Sequence, residues 1–166
     1  MINSKKIVLV GHFGVGKTSI IRRFVDNIFT DDYKVTIGVH IFKKEIEVNG
    51  EKLTFVIWDL EGKDDVEKVR KSHLIGTSGF MYVIDPTRNT TYINIESEVN
   101  YLKSNYPKAQ LLTIANKVDL IQKEAFLEEI NFPIDFFTSA KTDENVEAIF
   151  NQLGLNFLNN SWFKKQ

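Results

Sequence analysis

The sequence has 166 residues, no cysteine, and a net charge of −1 from 21 Lys and Arg against 22 Asp and Glu. This length fits one domain spanning residues 1–166, and the balanced charge argues against nucleic acid or an anionic membrane as a partner. Without cysteine there are no disulfides and no prenyl or palmitoyl anchor. No apolar run approaches the ~18 residues of a transmembrane helix. We therefore expect a soluble, cytoplasmic protein.

Strand and helix patterns alternate along the chain. Residues 6–10 are predicted to form a strand and residues 17–25 a helix. Two further strands, 39–48 and 53–58, are joined by Asn49-Gly50, a strong hairpin signal, so they should pair antiparallel. The remaining predicted elements are a short helix near 66–74, a buried strand at 79–84, a helix at 93–103, a strand at 111–115, a helix at 123–130, a strand at 134–137 and a last helix from about residue 144.

This order predicts an α/β fold with a six-stranded, mostly parallel sheet. Helices should cover both faces of the sheet, and the second strand should be the antiparallel one. In such a sheet, ligands bind at the carboxyl ends of the strands. The chemistry-bearing motifs all follow strands.

The first motif, residues 11–18 (G-H-F-G-V-G-K-T), fits the phosphate-loop pattern G-x-x-x-x-G-K-[S/T] between a strand and a helix. Glycines let backbone N–H groups turn toward a phosphate, and the helix adds its partly positive N-terminus. Lys17 would contact the β- and γ-phosphates, and Thr18 would bind Mg²⁺.

The second motif is Asp59, which follows an apolar strand. A carboxylate here can hold Mg²⁺, usually through water. The alternative is a residue that begins a turn before Gly62. The phosphate loop favours the metal role.

The third motif is Asn116-Lys117-Val118-Asp119, after the fifth strand. The Asp119 carboxylate can accept two hydrogen bonds from guanine, whereas adenine offers no such donor pair. Lys117 can lie along the purine, and Asn116 can join loops. Read alone, the same residues also suit a helix N-cap or a solvated loop.

The fourth motif, Ser139-Ala140-Lys141, follows the last strand. The backbone N–H of Ala140 could donate to the guanine carbonyl, and Lys141 could cover the other face of the base. As an isolated segment it is a weak signal.

Together with Thr36, Trp58 and Gly62, these motifs resemble in order and spacing the signature boxes of Ras-superfamily small GTPases, most closely the Rab branch. The resemblance covers nearly the whole chain and implies a P-loop NTPase G domain that binds GTP or GDP with Mg²⁺. It implies that Thr36 reaches Mg²⁺ and the γ-phosphate only in the GTP state and that Gly62 donates its N–H to that phosphate. The implied nucleotide contacts are Phe13, Gly14, Val15, Gly16, Lys17, Thr18, Ser19, Phe29, Asn116, Lys117, Asp119, Ser139, Ala140 and Lys141, and the implied metal ligands are Thr18, Thr36 and Asp59.

The resemblance also implies two switch segments, about 30–43 and 60–76, that contact an effector and an exchange factor or a GTPase activator. We expect the protein alone to be monomeric. Near the end, Trp162 and Phe163 either extend the packing of the last helix or lie exposed as a partner contact.

Three residues depart from the family pattern. Lys63 stands where the family has the glutamine that positions water, and an ammonium has no acceptor atom for that water. It could pair with the γ-phosphate, Glu61 or Asp64. Glu61 replaces a small residue, and Phe13 replaces glycine or serine, where its ring either obstructs a partner's arginine finger or folds away. We predict slow hydrolysis, with Lys17, Thr36, Gly62 and Lys63 as the catalytic positions.

The leading functional hypothesis is a slow guanine-nucleotide switch. The alternative is a GTP-binding interaction module that does not hydrolyse GTP, which Lys63, Glu61 and Phe13 favour. Thr36, Gly62 and Asp59 favour the switch. A P-loop kinase or ATPase is a weaker alternative, against which Asp119 argues.

Overall fold

The computed structural model describes residues 3–31, 35–63 and 65–163, with side chains described up to residue 160. Asp64 and the side chains of Trp162 and Phe163, on which the sequence analysis commented, lie outside the described residues. The strands are β1 (Ser4–Val10), β2 (Val39–Val48), β3 (Glu51–Leu60), β4 (Gly79–Ile84), β5 (Gln110–Ala115) and β6 (Phe136–Phe137). The α-helices are α1 (Lys17–Asp26), α2 (Lys71–Leu74), α3 (Ile95–Asn105), α4 (Lys123–Glu129) and α5 (Val146–Phe163).

The strands form one sheet in the order β2-β3-β1-β4-β5-β6. All neighbouring pairs are parallel except β2 and β3. Asn49 and Gly50 close that hairpin with φ values of 50° and 78°, the positive angles that a two-residue hairpin turn requires. The predicted α/β architecture with an antiparallel second strand is confirmed.

Two hydrophobic layers cover the sheet. On one face Met81 and Val83 of β4 pack with α1 and α5, where the rings of Phe24 and Phe150 stack at 3.8 Å. On the other face Phe80 and the neighbouring β4 side chains pack with α2, α3 and α4. Every residue of β4 is buried, as the continuous apolar run predicted. Among the described residues, no helix combines the length and apolarity needed to cross a membrane.

Several element boundaries differ from the prediction. The third strand was predicted to stop before Asp59, but β3 continues to Leu60, since it stays paired with β2. The last strand is shorter than predicted, since at Asp135 the Thr113 N–H is bound by the aspartate side chain at 2.8 Å while the Asp135 N–H donates to the Thr113 carbonyl at 3.0 Å. The final helix begins at Val146, after Glu144 has paired with Ser139 in an isolated bridge.

The predicted helix at 66–74 is two pieces, a 3₁₀ turn at Val66–Lys68 and the short α2. Two other short 3₁₀ turns, Asn89–Thr91 and Val118–Leu120, follow β4 and β5. Since β1, β3, β4, β5 and β6 run parallel, the loops that follow them gather at one edge of the sheet. This edge carries the candidate site.

Candidate nucleotide-binding site

A cleft of about 360 Å³ opens at this edge, within the usual size range for small-molecule sites. Most of the predicted binding and switch residues line it, although they come from distant parts of the chain. They are Phe13, Gly14, Gly16, Lys17, Thr18, Ser19, Phe29, Thr36, Gly62, Asn116, Lys117, Asp119, Ala140 and Lys141.

Four predicted residues lie behind the cleft wall or beside it. The Val15 side chain is buried in the core, so only its backbone can face a ligand. Ser139 is fully buried and donates to Asp119 Oδ1 at 2.7 Å, so it orients the carboxylate. Asp59 lies beneath Thr18, and Lys63 contacts Glu61.

Two residues that line the cleft, Arg22 and Leu120, had no predicted role, whereas Leu60 lies at the start of the predicted second switch segment. Arg22 is an interior polar position of α1, and nothing in the local pattern distinguishes it from a solvated surface residue. Leu120 follows Asp119 directly. The signal that could have identified Leu120 was its position next to the 116–119 motif.

The phosphate loop wraps around the Lys17 ammonium. The Lys17 side chain is 6% exposed, and its Nζ donates to the carbonyls of Gly11 and His12, both at 2.9 Å. Burial lowers the pKa of Lys17 to about 8, with Asp59 opposing this effect and Arg88 adding to it. Gly16 has φ 100°, and a Cβ there would lie 2.2 Å from Asn116 Nδ2, so this position needs glycine.

Two side chains of the 116–119 motif bind carbonyl groups of the phosphate loop. Asn116 Nδ2 donates to the Val15 carbonyl at 3.0 Å, and Lys117 Nζ donates to the Gly14 carbonyl at 2.8 Å. Asn116 also accepts from the Thr138 hydroxyl at 3.0 Å. The predicted link between loops is present, and it joins three strand ends.

Asp85 is a buried charge for which the sequence predicted no role. Its carboxylate lies 2.8 Å from Lys117 Nζ and is 1% exposed. Burial alone would raise the pKa of Asp85, but hydrogen bonds from Lys117 and Thr87 outweigh it and hold the pKa below the ordinary value. Its position after a buried strand at the ligand edge was the signal that could have identified it.

Three oxygen-bearing side chains form a group suited to Mg²⁺. The hydroxyls of Thr18 and Thr36 lie 2.6 Å apart, and Thr18 donates to Asp59 Oδ2 at 2.7 Å. Asp59 Oδ1 is buried and has no hydrogen-bond partner among the described residues. Burial raises the pKa of Asp59, opposed by the Thr18 hydrogen bond and the Lys17 charge.

This donor set fits a hard cation that prefers oxygen ligands. In the part of the chain that the structure describes, no cluster of three or more His, Asp or Glu side chains could hold a metal. Mg²⁺ in proteins usually keeps several water ligands and is bound by one or two carboxylates together with phosphate oxygens of the substrate. Such an ion would neutralise phosphate charge when bound.

The loop around the expected base site is tied to α1. Arg23 donates to the carbonyls of Ala140 and Lys141 at 2.8 and 2.9 Å, and its guanidinium lies 5.9 Å from the Phe29 ring centre. The Ala140 N–H points at Asn116 Oδ1 over 3.3 Å. A base carbonyl would share or replace that long bond.

The second predicted switch segment packs against the phosphate loop at Gly62. A Cβ at this position would lie 2.6 Å from Phe13 Cα, so no larger residue fits without a shift. The Glu61 N–H donates to the Gly38 carbonyl at 2.9 Å, which joins the two segments. Lys63 Nζ lies 3.5 Å from Glu61 Oε2, and the Phe13 side chain is partly exposed at the mouth of the cleft.

Comparison with known proteins agrees with this geometry. A model of the Ras family matches residues 6–159. The Ras-related protein SEC4 of Saccharomyces cerevisiae is 33% identical over 153 residues, covering 87% of this chain and 71% of the relative. In Dictyostelium discoideum, the Ras-related protein Rab-1C is 35% identical over 159 residues (89% and 78%), and Rab-21 is 32% identical over 167 residues (95% and 78%).

The chain belongs to the Ras family of small GTPases. Within that superfamily it is Rab-like, and it is a GTP-binding switch protein of the P-loop NTPase fold.

Proposed function

We propose that this GTPase is a guanine-nucleotide switch whose intrinsic hydrolysis is slow. The observation that carries the proposal is the contact between Lys63 and Glu61 in the second switch segment. An ammonium can donate to water but cannot accept from it, so Lys63 cannot orient an attacking water as an amide can. Both side chains are partly exposed, which makes the ion pair weak and leaves Lys63 free to change partners.

We assign the residues of the cleft three tasks within a single G domain of residues 1–166. The loop N–H groups and Lys17 bind the phosphates, since Lys17 and its neighbours line the cleft. Thr18, Thr36 and Asp59 hold Mg²⁺. Asp119 and Lys117 bind guanine, with Phe29, Ala140 and Lys141 around the base.

Partner binding is proposed for the two switch segments, about 30–43 and 60–76. Large apolar side chains are exposed in both, with Ile37 at 78%, Ile41 at 54% and Ile75 at 68%. We propose that these apolar side chains contribute to contacts with another protein. We propose an effector, and an exchange factor or a GTPase activator, as occupants, with the protein alone monomeric and located in the cytoplasm.

The second candidate function is a GTP-binding interaction module that does not hydrolyse GTP. Lys63 and Glu61 favour it because neither supplies a neutral amide beside the attacking water. The closed arrangement of Thr36 over Thr18 favours the switch, because this contact can respond to the γ-phosphate. The kinase or ATPase alternative is set aside by membership of the Ras family.

Identifying the bound nucleotide and following its hydrolysis tests the proposal. The purified protein should carry GTP or GDP, identified by chromatography after denaturation. Loaded with GTP and Mg²⁺, it should convert the GTP to GDP over hours. Unchanged GTP after a day would favour the module, and a protein that retains adenine nucleotide instead would refute both candidates.

A further inference from the structure

Arg88 is a cation that contacts the phosphate loop from outside the four sequence motifs. It follows β4 at the ligand edge, and its Nη2 donates to the Phe13 carbonyl at 2.6 Å. Its Nε lies 3.9 Å from the buried Asp85 carboxylate. Arg88 therefore lies between a fixed anion and the backbone of the phosphate loop.

Arg88 completes a row of three contacts along successive peptide groups. The carbonyl of Phe13 accepts from Arg88, that of Gly14 from Lys117, and that of Val15 from Asn116. The distances are 2.6, 2.8 and 3.0 Å. Asp85 connects the first two contacts, because it lies 2.8 Å from Lys117 and 3.9 Å from Arg88.

The geometry of the peptide bond gives these contacts a consequence. Every peptide bond in the described part of the chain is trans. In a planar trans peptide, the C=O and the N–H of the next residue point in opposite directions. A side chain that holds the Phe13 carbonyl on the outside therefore turns the Gly14 N–H to the other side of the loop. Gly14 lines the cleft.

We propose that Arg88 is a positioning residue for phosphate binding, which fixes the Phe13–Gly14 peptide so that the Gly14 N–H faces the phosphate chain. The proposal rests on the nucleotide site proposed above. Arg88 does not touch the ligand in this role. Its guanidinium also polarises the peptide, because a charged donor strengthens the partial positive charge on the opposite N–H.

The Phe13–Gly14 peptide lies at a flexible position of the phosphate loop. Glycine at position 14 has φ 75° and gives the loop conformational freedom, which an external hydrogen bond can restrict. The Arg88 side chain is 42% exposed, so the contact competes with water. We therefore expect a moderate effect.

The test compares GDP with GMP, which lacks the β-phosphate, by competition against fluorescent GDP. We expect Arg88→Ala to weaken GDP binding roughly three- to tenfold, in line with the loss of one charged hydrogen bond at a partly exposed site. GMP binding should change less than twofold. Arg88→Lys, which keeps a cationic donor, should recover most of the GDP affinity, and Lys103→Ala removes an exposed cation elsewhere as the matched control.

Three results would overturn the proposal. They are a GDP affinity of Arg88→Ala equal to that of the Lys103→Ala control, an equal loss for GDP and GMP, and an Arg88→Lys variant as weak as Arg88→Ala. Thermal unfolding of each variant would identify a folding defect. If the unmodified protein itself showed no preference for GDP over GMP, the proposed nucleotide site would fail, which is distinguishable from failure of Arg88 alone.

Discussion

The hydroxyl of Thr36 lies 2.6 Å from the hydroxyl of Thr18, which in turn donates to Asp59 at 2.7 Å. Since a hydroxyl has one hydrogen, Thr36 is the donor to Thr18 and Asp59 is the end of the chain. The first switch segment is therefore closed over the start of α1. The three side chains proposed for Mg²⁺ are already together in this arrangement.

Removing the Thr36 hydroxyl should affect the GTP-bound state more than the GDP-bound state. We expect Thr36→Ala to release a non-hydrolysable GTP analogue roughly tenfold faster, the equivalent of about 1.4 kcal/mol, with less than a twofold change for GDP. The reason is that Thr36 is proposed to reach Mg²⁺ only when the γ-phosphate is present. Stopped-flow release of fluorescent nucleotides in Mg²⁺ measures both rates. Thr36→Ser keeps the hydroxyl and is the control, and an equal acceleration for both nucleotides would contradict the assignment.

Asp119 should decide which base is bound. Asp119→Asn replaces one acceptor oxygen by an NH₂ group that faces the guanine donors, so we expect GDP affinity to fall at least about a hundredfold. The Ser139 contact to Asp119 Oδ1 supports this role, because it holds the carboxylate in one orientation. Competition binding with GDP and ADP measures the change. GDP binding of the variant within threefold of the unmodified protein would remove Asp119 from the site.

Asp85 should contribute stability that depends on pH. Its pKa is lowered from the ordinary value of 3.8 in the folded chain, so its contribution is complete well above pH 3.8 and is lost as the pH falls through the lower folded value. We expect Asp85→Asn to reduce the free energy of unfolding by about 1–3 kcal/mol at pH 7. The difference in free energy of unfolding between Asp85→Asn and the unmodified protein should stay constant between pH 7 and 5 and become smaller below pH 3.8.

Urea unfolding over this pH range provides the measurement. Lys103→Ala, an exposed change on α3, is the control for general charge effects. If the free-energy difference between the two proteins disappeared between pH 7 and 5, another group, and not Asp85, would be responsible for the pH dependence of stability.

Local patterns were sufficient for the fold and for most lining residues. Residues 11–18 and 116–119 were recognised because their chemistry depends on short spacings next to strands. The prediction of a hairpin at Asn49-Gly50 was correct because a turn with two positive φ angles accepts few residue types. Strand β4 was placed correctly because burial on both faces leaves a continuous apolar run.

Contacts between distant residues were not predictable in this way. Asp85 meets Lys117 because β4 lies beside β5, and Arg88 meets Phe13 because β4 also lies beside β1. The early end predicted for β3 was wrong for a similar reason, since pairing with β2 extends it to Leu60. The contact from the Ser139 hydroxyl to Asp119 is likewise one that the local sequence did not show, and the assignment of Ser139 to the nucleotide stays a prediction.

Single-turnover GTP hydrolysis with and without Lys63→Gln tests the central claim most directly. Glutamine restores an amide that can both donate to and accept from water, so we expect the variant to hydrolyse GTP at least about tenfold faster than the unmodified protein. Lys71→Gln, an exposed change in the same segment, should leave the rate unchanged. An unmodified protein that hydrolyses GTP as fast as Lys63→Gln would contradict the account.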